Sequence, residues 1–182
     1  MKTILKILTV IGFALAVLAA LIINAASASV ALERMGLRTV QPTPTPPPEA
    51  PTGEISSFSF EYGSYFPGYC SFEITRLDKG AALTLQGYND FCELHVEKNI
   101  SKKDFAELCE LIDELNLYLW DGFSGHNEDI LDGWSFTLSI VYDDGRSVEA
   151  GGYENYPQGY YYAQSRLSEF LYALAGVEDP FA

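Results

Sequence analysis

The sequence predicts an α+β domain: an antiparallel sheet of about six strands, with two helices packed on one face. Two observations lead there. Apolar residues alternate with polar ones at period two in six short stretches, whereas two longer stretches place them at helical spacing. The order is four strands, a helix, two strands and a helix, so strands and helices are segregated rather than interleaved one for one. A third observation bounds the size. Of the 25 aromatic residues, all but Phe13 lie beyond residue 53, and the roughly 130 residues there are enough for a self-sufficient core.

The first strand is Ile55–Tyr62, with Phe58, Phe60 and Tyr62 on one face and Ser57, Ser59 and Glu61 on the other. Pro67-Gly68 marks a turn, and Cys70–Leu77 alternates again with Cys70, Phe72 and Ile74 inward. Asp78-Lys79-Gly80 turns the chain into Ala82–Tyr88, and Gly87–Asp90 turns it into Phe91–Glu97, which completes a meander. Ser101-Lys102-Lys103-Asp104 resembles a capping box with Asp in place of Glu. Phe105, Leu108, Cys109, Ile112 and Leu115 follow at helical spacing, with Lys102, Lys103, Glu107, Glu110 and Glu114 on the opposite face. Residues 121–133 read as a polar loop. Trp134–Tyr142 alternates, Asp143-Asp144-Gly145 signals a hairpin, and Ser147–Gly151 pairs back. The last helix, about 160–175, aligns Ala163, Leu167, Phe170, Leu171 and Leu174.

Ahead of this domain lie two other segments. Ile7–Ile23 is an apolar run with Thr9 as its one polar member, preceded by Lys2 and Lys6. It reads as a signal peptide cleaved near Ala26-Ser27-Ala28 or as an uncleaved transmembrane signal anchor, residues 1–28 in either case. Its length favours the anchor, because a spanning helix needs roughly 17–25 residues. The positive flank stays cytoplasmic, which places the carboxy-terminal domain outside the cell membrane, single-pass or secreted. No Cys precedes Cys70, so lipid attachment at an amino-terminal cysteine is not expected. Residues 29–53 form a linker. Its second half, from Gln41, holds six of the nine prolines and reads as an extended polyproline II spacer.

The charge balance excludes some functions. Against 11 Lys and Arg stand 25 Asp and Glu, a net charge of −14. Lys2, Lys6, Arg34 and Arg38 precede residue 53 with only Glu33 and Glu49, so the domain itself, residues 54–182, is more acidic than the chain. Nucleic acid is not an expected partner, because phosphate binding needs clustered Lys and Arg. The aromatic content sets it apart from a disordered acidic tail.

Glu61-Tyr62-Gly63, Tyr65-Phe66-Pro67-Gly68-Tyr69, Trp120-Asp121-Gly122-Phe123, Leu131-Asp132-Gly133-Trp134, Tyr142-Asp143-Asp144-Gly145 and Gly152-Tyr153 before Tyr156-Pro157 together resemble an uncharacterised family of exported domains of Gram-positive anaerobes. The resemblance spans roughly residues 55–175. It implies export, often as a lipoprotein, and a shared fold. It implies no activity and no catalytic residue. The absent anchoring cysteine departs from that pattern.

Few residues offer chemistry. Cys70 and Cys92 fall on the inward faces of strands expected to be neighbours, and Cys109 on the apolar face of the first helix. A Cys70–Cys92 disulfide is allowed outside the cell, and three buried thiols are the plainer alternative. His95 and His126 are the two histidines, with no zinc spacing around them. Asp121, Asn127, Glu128, Asp129 and Asp132 offer hard oxygen ligands for calcium, without the spacing of an EF-hand, and acidic loops of this kind more often cap turns. No cofactor is otherwise expected. Two loops echo each other as aromatic-Pro-(X)-Gly-Tyr patterns: 63–69 and 152–162. Tyr65, Phe66, Tyr153, Tyr156 and Tyr161 on them are the candidate binding residues, because loop aromatics supply large amphipathic contact area. The alternative is that these rings close a small core.

The expected function is therefore a non-catalytic binding module at the cell surface, facing a peptide, a cell-wall glycan or a partner protein. Two other classes stay open. One is a cell-wall hydrolase using paired carboxylates, Asp121 and Asp132 first among them. The other is an inhibitor or immunity-type protein whose acidic face engages a basic enzyme.

Overall fold

The computed structural model describes residues 48–66, 68–89 and 93–179. They belong to the second of two units into which the chain divides, Pro47–Ala182. The apolar run 7–23 and most of the linker lie outside the described residues. Among the described residues, no helix is long and apolar enough to cross a membrane.

The strands are β1 (Ile55–Ser64), β2 (Gly68–Leu77), β3 (Gly80–Asn89), β4 (Glu93–Ile100), β5 (Ser124–His126), β6 (Ser135–Tyr142) and β7 (Ser147–Tyr153). The helices are α1 (Lys102–Glu114) and α2 (Tyr160–Ala175), with a 3-10 turn at Leu117–Trp120. They form an α+β fold around one seven-stranded sheet of order β4-β3-β2-β1-β6-β7-β5. The class agrees with the sequence, but the sheet is mixed rather than wholly antiparallel, because β5 runs parallel to β7. The expected polar loop 121–133 contains this seventh strand. Ser124-Gly125-His126 carries no hydrophobic alternation, so only its pairing with Gly151–Tyr153 reveals it. Gly125 and Gly152 are needed there: a Cβ on either would lie 2.5 and 2.2 Å, respectively, from the Asn155 carbonyl oxygen.

Strand register builds the core. Leu138, Phe60, Phe72 and Leu85 line up across β6, β1, β2 and β3, and Ile140, Phe58, Ile74 and Leu83 form the next row. All eight are fully buried, as are Leu108 of α1 and Leu167 and Leu171 of α2. Each such side chain contributes about 1.5–3 kcal/mol on burial. Helix α1 begins with the expected capping box: the Asp104 N–H donates to Ser101 Oγ at 3.2 Å, and the Ser101 N–H donates to Asp104 Oδ2 at 3.2 Å. Helix α2 ends at Gly176 (φ +79°), where the N–H groups of Gly176 and Val177 both reach the Tyr172 carbonyl.

A small polar chain crosses the core. The Tyr172 hydroxyl donates to Cys70 Sγ at 2.8 Å and lies 3.1 Å from the Tyr62 hydroxyl. Strand β3 lies between β2 and β4, so those two strands are not the neighbours the sequence suggested. Cys92 lies outside the described residues. Cys109 is half-buried, and burial pushes its thiol up to about 11, which leaves it protonated and unreactive at neutral pH.

The other face of the sheet is mostly polar, with Tyr69 and Tyr88 among its exposed residues. The strand positions that face outward, such as Ser59, Glu61, Glu73, Thr84, Gln86, Thr137 and Glu149, are covered by neither helix.

Candidate functional site

The alternation that sends Phe60 and Phe72 inward sends their neighbours outward, and the register lines those up as well. One transverse row runs Glu93, Tyr88, Tyr69, Gly63, Ser135, Tyr153 and His126 across all seven strands. Three tyrosines thus stand on the open face with the two smallest residues between them. Tyr69 and Tyr88 pair at 6.5 Å between ring centroids, and Tyr153 stacks on His126 at 5.2 Å and 26°. The gap over Gly63 and Ser135 is the floor of an open trough of about 680 Å³, with Glu61 beside the floor. From β2 to β7 is three strand spacings, or about 14 Å between the backbones that carry the walls.

Two loops rim this trough. The β1–β2 turn brings Tyr65 and Phe66, which are 95% and 67% exposed and so form no part of the core. Ser64 Oγ donates to the Phe66 carbonyl and closes that turn. From the other side, the loop before β6 brings Leu131 and Asp132. That loop is pinned to the segment after β7. The Gly133 N–H donates to the Tyr153 hydroxyl at 2.8 Å, the Trp134 N–H to Glu154 Oε1 at 2.6 Å, and the Tyr156 hydroxyl to the Trp134 carbonyl at 2.9 Å. Glu154, which accepts the second of these bonds, has a left-handed backbone (φ +47°).

The five candidate aromatics therefore divide. Tyr65, Phe66 and Tyr153 meet at the trough. Tyr156 and Tyr161 do not reach it; they sit on the side of the sheet that carries the core. Tyr156 stacks on buried Tyr160 at 4.4 Å and 13° and contacts Phe136, so it closes the end of the core. Burial pushes its hydroxyl up to about 12, with Glu154 adding to the shift. Tyr161 lies edge-on to both Tyr156 and Tyr160 and is 71% exposed beside a smaller pocket of about 240 Å³. Tyr69 and Tyr88 were missed by the loop-centred reading. Their signal was present: each is an aromatic in the polar phase of an alternating strand, adjacent to inward Cys70 and Gly87.

The candidate calcium ligands are dispersed in role. Asp121 Oδ1 accepts from the Glu149 N–H at 3.1 Å, Asn127 Oδ1 accepts from the Asp129 N–H at 3.1 Å, and Asp132 lines the trough. Among the described residues, no three His, Cys, Asp or Glu side chains gather as a metal site. Asp121 is thus held by the β7 backbone at Glu149, whereas Asp132 precedes Gly133, whose N–H bonds the Tyr153 hydroxyl.

No known protein-family model matches the chain, and no curated protein matches its sequence. The chemistry of the site rests on its own geometry.

Proposed function

We propose that this protein is a non-catalytic binding module displayed outside the cell membrane, tethered or secreted, and that its contact surface is the aromatic trough on the open face of the sheet. One observation carries the reading: Tyr69, Tyr88 and Tyr153 share a single outward row around a floor of glycine and serine, with the exposed Tyr65 and Phe66 at its rim. Large rings left in water around a concavity cost solvation that a folded domain has no structural reason to accept, and such patches usually mean contact. Export follows from the amino-terminal apolar run and from the resemblance to exported domains. The ligand belongs at the cell surface: a peptide, a wall glycan or a partner protein.

The test is retention. The full chain in neutral detergent micelles is incubated with purified cell-wall sacculi and, separately, with solubilised membrane proteins. Retention that is lost on Tyr69→Ala and Tyr88→Ala but kept on Tyr161→Ala supports the trough. Retention that depends on Tyr161 instead, or none on either material, removes it. Release of sugars or peptides from the sacculi would replace this reading with the hydrolase.

A further inference from the structure

We infer that the trough selects ligands by positive charge, and that its occupant is an extended peptide segment presenting Lys or Arg side chains. The inference rests on the trough being a binding surface and names what it takes.

Two of the residues lining the trough are carboxylates, Glu61 beside the floor and Asp132 on the loop before β6, and none is Lys, Arg or His. Neither carboxylate has an ion-pair partner among the described residues. The rest of the lining is dominated by tyrosine. A carboxylate set among electron-rich ring faces is the environment that an alkylammonium or guanidinium group prefers, through ion pairing and cation–π attraction together.

The surroundings repeat the preference at longer range. Glu73, Glu93, Glu97 and Glu149 also face outward on this side of the sheet, and no outward strand position there is Lys or Arg. The basic side chains near the sheet are directed elsewhere: Lys98 donates to the Leu174 carbonyl, and Arg76 pairs with Glu54 and Asp143. A one-signed face of this kind raises the local concentration of cations and speeds their encounter. A neutral glycan would gain nothing from it.

The shape selects the extended form. About 14 Å separates the wall-bearing strands, which admits one extended chain with its side chains, and Tyr65, Phe66 and Leu131 stand exposed at the rim to contact it. The occupant lies on the face of the sheet rather than pairing with its edge. The long edge strand β4 is guarded by Glu93, His95, Glu97 and Lys98.

The experiment uses the full chain in neutral detergent and three probes: a fluorescein-labelled peptide of alternating Gly and Lys about ten residues long, its Lys→Gln twin, and an N-acetylglucosamine tetramer. The Lys peptide should bind, and more weakly at about 300 mM than at about 50 mM salt. Glu61→Gln and Tyr69→Ala should each lower its affinity about fivefold or more, while Glu73→Gln, on the same face outside the trough, should change it less than about twofold. Equal binding of the Gln peptide overturns the inference, as does an equal loss on Glu73→Gln. Tetramer binding that Tyr69→Ala abolishes, without peptide binding, overturns charge selection and keeps the trough as a binding site. If none of the probes binds and retention on sacculi and membrane proteins ignores Tyr69→Ala and Tyr88→Ala, the inference and the trough fall together. Unchanged thermal unfolding of each variant excludes misfolding, and Tyr88→Ala replaces Tyr69→Ala if that variant does not fold.

Discussion

At Gly63 the backbone takes φ +144°, and a Cβ built there would lie 2.4 Å from both the Gly68 carbonyl oxygen and Tyr69 Cα. No rotamer change relieves an overlap with backbone. Gly63→Ala should therefore destabilise the domain by about 1–3 kcal/mol through strain alone, read as a lower urea midpoint, and should displace Tyr69 from the trough. An unchanged midpoint would mean that the hairpin does not need this close approach. Tyr172 makes a different kind of test. Its hydroxyl bonds Cys70 Sγ and Tyr62, while its ring packs edge-on to Phe72 at 5.1 Å and 73°. Tyr172→Phe keeps the ring and removes the polar chain, so it should cost about 1–2 kcal/mol in urea unfolding. At this scale the sequence marked the inward residues and left Tyr69 and Tyr88 as outward aromatics with no sign that they belong together. Alternation tells which phase of a strand faces out, but only the register of three antiparallel pairings puts those two rings and Tyr153 in one row.

Helix α1 shows an element whose start is written locally. Ser101 and Asp104 satisfy each other's backbone N–H groups, and the Ser101 hydroxyl and N–H together hold the Asp104 carboxyl below the usual carboxylate range. Ser101→Ala should cost about 1 kcal/mol, seen as a lower urea midpoint with the slope unchanged. A loss within error would show that packing of Phe105 and Leu108 alone sets the helix start. Strand β5 is the opposite case. Three residues with a central glycine have no periodicity to detect, and the strand exists because β7 offers an edge and Gly125 and Gly152 let the Asn155 carbonyl approach. The six longer strands and both helices were legible because each carries its own hydrophobic period. The strand order was not, since nothing local to β6 says that it inserts beside β1 rather than beside β4.

For the whole molecule, the governing fact is the asymmetry of the sheet: one face holds the core and both helices, the other holds carboxylates, hydroxyls and the trough. The asymmetry has a consequence at high pH. Tyrosines that belong to the core face are held neutral by burial: Tyr62 and Tyr156 are pushed up to about 12, and Tyr160 and Tyr172 are also raised, with burial the leading cause in each. An unfolded tyrosine ionises near pH 10. Below that, folded and unfolded chains bind the same protons at these sites, and the stabilisation is fully present. Between about pH 10 and 12 the unfolded chain loses protons that the folded one keeps, so unfolding stability falls as pH rises. The urea midpoint should therefore drop across that window, and tyrosinate absorbance at 295 nm from these rings should appear together with loss of near-ultraviolet circular dichroism. Tyr160→Phe gives the internal check. The Tyr160 ring packs on Phe136 at 4.6 Å and on Tyr156 at 4.4 Å, contacts that phenylalanine preserves, so the variant should keep its neutral stability and show a shallower decline above pH 10. A decline as steep as that of the parent would assign the alkaline transition to repulsion among the carboxylates and tyrosinates of the open face, and the buried rings would then have no part in it.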